Sequence, residues 1–163
     1  MRNRKQLGDA AEEYVKPFVS SAGAMNVASL FKVPTPTARD KNGKIIYIAK
    51  SIADYTGFML DGTGRHVAVE VKRCSEPSIP FDFVSEHQWE YLSAVRKTGG
   101  VSLALVVHPR GITNDVLELD WALFLAYKQQ GLRKSVPLDD SRVRVVSPLS
   151  FLRAYLRPSP PST

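Results

Sequence analysis

Two carboxylates and a lysine with the makings of a hydrolytic site occupy the stretch from Ser51 to Arg73: Asp54, then Glu70 and Lys72 two residues apart. Carboxylates that share a site repel one another unless a cation lies between them, and a hard divalent ion with oxygen ligands is the natural occupant. Mg²⁺ takes one or two carboxylates, keeps several waters and binds phosphate oxygens, so the pair suits a phosphodiester substrate. Lys72 offers a compact point charge to orient the attacking water or to neutralise the charge that develops in the transition state. The plain alternative is a solvated sheet face with an E-x-K ion pair worth under about 1 kcal/mol.

Bringing these groups together requires a hairpin. In a strand over His66 to Arg73 the side chains alternate, so Val67, Val69 and Val71 face one way, toward the core, and Ala68, Glu70 and Lys72 the other. Upstream, the aromatic and apolar run Tyr55 to Leu60 leads into Asp61-Gly62-Thr63-Gly64, the punctuation of a hairpin turn. Folding back there sets Asp54 opposite Glu70, and a slip of one residue would turn it to the wrong face.

An Asp followed after fifteen residues by E-V-K, with a hairpin between, resembles the PD-(D/E)xK nuclease core, and the surrounding residues resemble one branch of it, the RecU-type Holliday junction resolvases. The likeness covers most of the chain. It runs through Lys32-Val33-Pro34-Thr35-Pro36, Ser51 to Asp54-Tyr55-Thr56-Gly57, Glu70-Val71-Lys72, His87-Gln88 and Arg133-Lys134-Ser135-Val136-Pro137. It implies an α/β fold of the restriction-endonuclease-like type, a mixed central β-sheet flanked by helices. It also implies a structure-selective endodeoxyribonuclease that cuts four-way DNA junctions in recombination and repair. Asp54, Glu70 and Gln88 then position Mg²⁺ or Mn²⁺, Lys72 assists the attacking water, and Glu12 of the first helix helps at a second position. Two matched cuts across a junction call for a homodimer with two identical sites. Where RecU proteins carry a metal-contacting threonine two residues before the catalytic Asp, this chain has Ile52; either water replaces that ligand or the match shifts by one residue around Ser51. The alternatives are a related nuclease acting on duplex or flap DNA and a non-catalytic DNA-binding relative.

The rest of the chain is consistent with such a partner. At 163 residues it is one domain, read as 1–157 with a ribbon at 37–50 and a Pro/Ser-rich disordered tail at 158–163. No apolar run approaches a membrane span, and no signal-peptide pattern is present, so a cytoplasmic protein without a membrane partner is expected. The lone Cys74 excludes an internal disulfide and a cysteine-rich zinc site, and reads as an idle thiol. The net charge is +6, concentrated in residues 1–73, where 12 Lys and Arg face 7 Asp and Glu; residues 74–163 carry 10 against 9. This points to a polyanion. Candidate phosphate contacts are Arg2, Arg4 and Lys5 in an N-terminal arm, Arg39, Lys41, Lys44 and Lys50 along the ribbon, and Arg73 closing the catalytic strand. In RecU proteins the ribbon position holds a protruding stalk that enters the junction; the version here is short.

The elements that position the site follow from periodicity. Leu7, Ala11, Tyr14, Val15, Phe18 and Val19 recur at helical spacing over Gly8 to Ala22, with Glu12 on the flank of the apolar stripe and Glu13 facing solvent. Asn26 to Val33 reads as a first strand, stopped by Pro34 and Pro36. Asp40 to Lys44 reads as a turn and Ile45 to Ala49 as a short strand. Ser75 to Phe83, broken by Pro77 and Pro80, reads as a loop whose Ile79, Phe81 and Phe83 pack against the sheet or across a subunit contact. Ser85 opens a helix to Lys97, where Gln88 is either the partner in a capping box or a metal ligand. Val101 to Val107 reads as a doubly buried central strand, a short strand ends near Leu119, and Asp120 caps a helix that Gly131 ends. A last helix is expected from Ser147-Pro148 to Arg157, with Leu149, Leu152 and Leu156 on one face.

Overall fold

The computed structural model describes residues 4–47, 51–131 and 133–157. In chain order they form helix α1 (Arg4–Ala24), strands β1 (Ala28–Lys32), β2 (Thr37–Arg39), β3 (Ile45–Tyr47), β4 (Tyr55–Met59), β5 (His66–Arg73) and β6 (Ser78–Pro80), helix α2 (Glu86–Lys97), strands β7 (Val101–Arg110) and β8 (Thr113–Asp120), helix α3 (Trp121–Gln130), and strands β9 (Ser135–Pro137) and β10 (Arg144–Val146). Six strands make the central mixed sheet in the order β1-β4-β5-β7-β8-β10. Only β5 and β7 run parallel, and α2 lies in the crossover between them. None of the described helices is long and apolar enough to cross a membrane.

The central strands β5 and β7 are buried on both faces. Val67, Val69 and Val71 of β5 join Leu103, Leu105 and Val107 of β7 in a core with Ala11, Val15, Phe18 and Ala22 of α1. The opposite face, where Glu70 and Lys72 stand, is covered by a second core in which Leu92 and Val95 of α2 pack with Trp121 and Phe124 of α3 against Ala68, Ala104 and Val106. The alternation over β5 thus assigns the faces correctly, but both are core-facing. In α1, Tyr14 departs from its expected place: it is exposed, and its hydroxyl donates to the Asn114 carbonyl at 3.2 Å.

Gly57, in the Asp54-Tyr55-Thr56-Gly57 motif, has a steric reason to be glycine. A Cβ there would fall 1.8 Å from the Ser29 carbonyl oxygen and 2.8 Å from its carbon, both backbone atoms of β1. Gly57→Ala must push β1 away from β4, and we expect a loss of about 3–4 kcal/mol, near 10 °C in Tm, read by thermal and urea melts.

Three segments differ from the sequence reading. Ser75 to Phe83 is not a loop: its β6 pairs antiparallel with β9, matching Ile79 to Val136 and seating Phe81 N on the Lys134 carbonyl at 3.1 Å. Ile79 is fully buried in the second core, whereas Phe83 is exposed. The last helix does not form as an α-helix. Leu152 takes φ 62°, the left-handed region that stops a right-handed helix, and a 3₁₀ turn over Arg153–Tyr155 follows. Its backbone N–H donates to the buried Glu118 Oε2 at 3.0 Å, Glu118 is also paired with Arg144, and Leu149 and Leu156 are left exposed. The edge strand β10, absent from the sequence reading, pairs with β8.

The ribbon is a separate two-stranded sheet, β2 against β3. Asp40 Oδ1 closes its turn by accepting from Asn42 N at 2.8 Å and Lys44 N at 2.9 Å, and Arg39 donates to the Gly43 carbonyl at 2.9 Å. Lys41 and Lys44 are exposed along it. Of the other expected phosphate contacts, Arg2 and Lys50 lie outside the described residues, as does the tail 158–163; Arg4 and Lys5 open α1.

Candidate active site

The β4–β5 hairpin pairs Tyr55 with Val69 and Thr56 with Ala68, so the rung beyond Tyr55 and Val69 sets Asp54 against Glu70. Both carboxylates stand on the α2 side of the sheet at the exit of the β4–β5 pairing. Asp54 Oδ2 accepts from Val71 N at 2.7 Å, which fixes the carboxylate against β5. From behind, His87 Nε2 lies 3.1 Å from the Ser51 carbonyl and 3.3 Å from Ser85 Oγ, tying the segment before Asp54 to the start of α2.

Glu70 is 1% exposed. Its Oε1 receives two donors at once, Lys72 Nζ at 2.7 Å and Gln88 Nε2 at 2.7 Å. Its Oε2 is buried with no partner at all. A carboxylate so placed resists ionisation: burial, with the nearby charge of Asp54 adding to it, pushes the Glu70 pKa up to about 7 despite the opposing pull of Lys72 and Gln88. Asp54 is raised as well, first by burial and then by Glu12, against the Val71 hydrogen bond. A pair of acids held together at this cost, with one oxygen bare, fits a divalent cation, which would restore charge balance and give Glu70 Oε2 a partner. Among the described residues no three His, Cys, Asp or Glu side chains cluster to hold a metal. Two carboxylates with water completing the shell is the donor set that Mg²⁺ accepts.

Of the two roles set against each other in the sequence, Gln88 takes that of the capping box, and it also bonds Glu70. Its Oε1 accepts from Ser85 N at 3.2 Å and Ser85 Oγ at 2.8 Å, the return half of a capping box, while its Nε2 reaches Glu70. A direct metal contact would need the amide oxygen, which Ser85 holds here. Glu12 is half-buried on α1, as its place on the flank of the stripe implies, and forms an ion pair with Lys32 of β1. The structure therefore brings Glu12 near Asp54 in charge but bonds it to Lys32. Tyr55, opposite Lys32 in the sheet, has a buried hydroxyl without a partner, and burial raises its pKa. Ile52 is exposed, at 41%. Arg73 is half-buried at the end of β5. Cys74 is buried, with its thiol pKa raised by burial, and its S–H faces the Glu76 and Ser78 carbonyls, in keeping with an idle thiol.

Sequence reasoning missed the parts played by His87 and Lys32. Both sit inside motifs carrying the resemblance, His87-Gln88 and Lys32-Val33-Pro34-Thr35-Pro36, and that position was the available signal.

Among solved structures, the chain is similar to Hjc of Archaeoglobus fulgidus, a Holliday junction resolvase from an archaeal hyperthermophile, at 16% identity over 71% of this chain and 74% of that one, with a TM-score of 0.43. No curated protein matches it. The model of the RecU family, Recombination protein U, matches residues 8–149, and the chain belongs to that family.

Proposed function

We propose that this chain resolves four-way DNA junctions by divalent-metal-dependent phosphodiester hydrolysis at the Asp54–Glu70 pair, acting as a homodimer. Resolution of Holliday junctions is the function of the family; the metal dependence, the residue roles and the dimer are our reading. The observation that carries the chemistry is Glu70 Oε2, a bare carboxylate oxygen in a buried site shared with a second acid.

Asp54 and Glu70 would hold Mg²⁺ or Mn²⁺. Such an ion polarises a phosphoryl oxygen and makes water a nucleophile near neutral pH. Asp54 is oriented by Val71 N, and Glu70 by Lys72 and Gln88, so the pair is set before substrate arrives. Lys72, with its ammonium 2.7 Å from Glu70 and part of its side chain in solvent, supplies positive charge where charge builds on the phosphate oxygens and aligns the attacking water. Glu12 and Lys32 place a carboxylate and an ammonium, paired with each other, near Asp54, and Glu12 would serve a second position. Recognition would run through phosphates and branched shape, using Lys41 and Lys44 of the ribbon, with Arg2, Arg4, Lys5, Arg39, Lys50 and Arg73 as further contacts.

Incubation with labelled four-way junction, duplex and single strand, with and without Mg²⁺, tests this reading. Paired cuts in the junction that require the ion are expected. Cleavage of duplex at an equal rate, or binding without cleavage, would replace it with one of the two alternatives. Replacing Lys41 and Lys44 with Ala should weaken junction affinity and lower the slope of log affinity against log salt by about one unit per lost phosphate contact. An unchanged slope would show that the ribbon does not touch DNA.

A further inference from the structure

The α2 face of the sheet is not uniformly covered. α2 and α3 lie over β5, β7 and β8, and the same face of β1 and β4 extends beyond them. There the rungs next to the catalytic pair carry aromatic side chains. Phe31 is matched to Thr56, and Phe58 to Ser29 on one side and His66 on the other. Phe31 is 60% exposed and Phe58 53%, although each stands in a regular strand whose opposite face is core.

Phe58 is held by its neighbours. The His66 imidazole lies against it at 6.0 Å between ring centroids and 32° between planes, and Tyr91 of α2 meets His66 edge-on at 5.9 Å. A polar knot behind the rings locks them. Thr56 Oγ1 lies 2.6 Å from His66 Nε2 and 3.1 Å from Tyr91 Oη, and Tyr91 Oη lies 3.1 Å from His66 Nε2. One side of the Phe58 ring is thus braced, and the remainder of the Phe31–Phe58 surface is open. The strip is continuous with the catalytic pair: Phe58 is four strand residues from Asp54, about 13 Å, and Phe31 lies opposite a position about 7 Å away. Those distances correspond to roughly two to four base steps at the 3.4 Å rise of one strand.

We propose that Phe31 and Phe58 form a stacking platform for a nucleobase left unpaired at the crossover of a branched DNA, next to the strand being cut. This rests on the junction-resolving function argued above. Base faces stack on aromatic rings irrespective of sequence, which suits an enzyme that must recognise a shape. A fixed ring gives up little side-chain freedom when the base arrives. A second copy of the chain fits the strip less well: two half-exposed phenylalanines offer about 200 Å², against the roughly 800 Å² per partner that a stable dimer buries.

The test compares Phe31→Ala/Phe58→Ala, Phe31→Leu/Phe58→Leu and Phe58→Tyr with the parent, using the full chain without metal so that no substrate is cut. Affinities are measured for a four-way junction, a single strand and a fully paired duplex, and molecular mass by sedimentation. The Ala and Leu variants should each lose about 10-fold on junction and single strand while staying within twofold on duplex. Phe58→Tyr should bind as the parent does, and all masses should agree. Leucine keeps an apolar contact and removes the ring, so the Leu variant separates stacking from hydrophobic docking. An equal loss on duplex, no loss on the junction, or a Leu variant matching the parent while the Ala variant falls in mass would overturn the proposal, the last in favour of a contact between copies. A parent that binds junction no better than duplex would instead overturn the resolvase reading, and the platform with it.

Discussion

Glu70→Gln is expected to abolish cleavage, by 10³-fold or more on the scale of lost metal-ion catalysis, and at the same time to make the metal-free protein more stable above neutral pH. The two effects share one cause. Without metal, the folded protein holds Glu70 buried with a pKa of about 7, while the unfolded chain ionises it near the ordinary 4.5. A raised carboxylate contributes fully below the unfolded value, and that stability is lost as pH rises from 4.5 through 7, amounting to about 3 kcal/mol. Glutamine removes the charge and keeps the shape, so the contribution of this position becomes flat with pH. Melting in EDTA at pH 5 and pH 8 should show the variant gaining on the parent at the higher pH. Mg²⁺ should raise the Tm of the parent more at pH 8 than at pH 5, because it competes with the proton for the same oxygens, and should leave the variant unmoved. Asp54→Asn should lose cleavage in the same way. Both variants keep the basic surface and should bind junction DNA within a few fold of the parent. Retained cleavage in either would end the two-carboxylate mechanism.

Lys72→Ala should cost on the order of 10²- to 10³-fold in the chemical step, the scale for removing one transition-state stabiliser. Single-turnover cleavage of prebound junction at saturating Mg²⁺ isolates that step from binding. The loss should carry a signature in pH. Lys72 pulls the Glu70 pKa down, so its removal leaves Gln88 as the single donor to Oε1 and moves the acid limb of the rate profile to higher pH. An ordinary surface ion pair would cost under about 1 kcal/mol in stability and nothing in rate. A rate within threefold of the parent, with an unmoved acid limb, would reduce Lys72 to that.

The hairpin was legible in the sequence because its signals are local. Asp61-Gly62-Thr63-Gly64 marks the turn, the period-two valines set the face, and together they determine a register in which Asp54 meets Glu70. The ends of α3 were legible for the same reason: Asp120 caps through a hydrogen bond to Ala122 N at 2.7 Å, and Gly131 leaves the helix at φ 66°. The burial of Glu70 was not legible. Period two says which side chains share a face, and only the docking of α2, through Leu92 and Val95, determines that this face is dry. The β6–β9 pair was hidden because three-residue strands containing Pro80 and Pro137, far apart in sequence, carry no periodicity. Leu149, Leu152 and Leu156 have helical spacing, yet the segment is governed by Glu118, a carboxylate in a distant strand that captures the Leu152 N–H.

The parallel step between β5 and β7 also bears on the lifetime of the folded enzyme. The β4–β5 hairpin closes over a short turn, whereas β7 reaches β5 only after the crossover carrying α2 has been laid down. Non-local parallel pairing of this kind is slow to form. In the hairpin alone Glu70 would still be hydrated, so it leaves water only when α2 docks over β5 and β7; we expect that docking to be completed on the native side of the barrier. Its ionisation should then act on unfolding and spare folding. In EDTA, raising the pH from 5 to 8 should speed urea-jump unfolding on the order of 10²-fold while the refolding arm barely moves. Glu70→Gln should remove most of that acceleration; if it accelerates as the parent does, the clock lies elsewhere. In alkaline buffer without divalent metal, the folded protein would be short-lived for a reason built into the order in which its chain comes together.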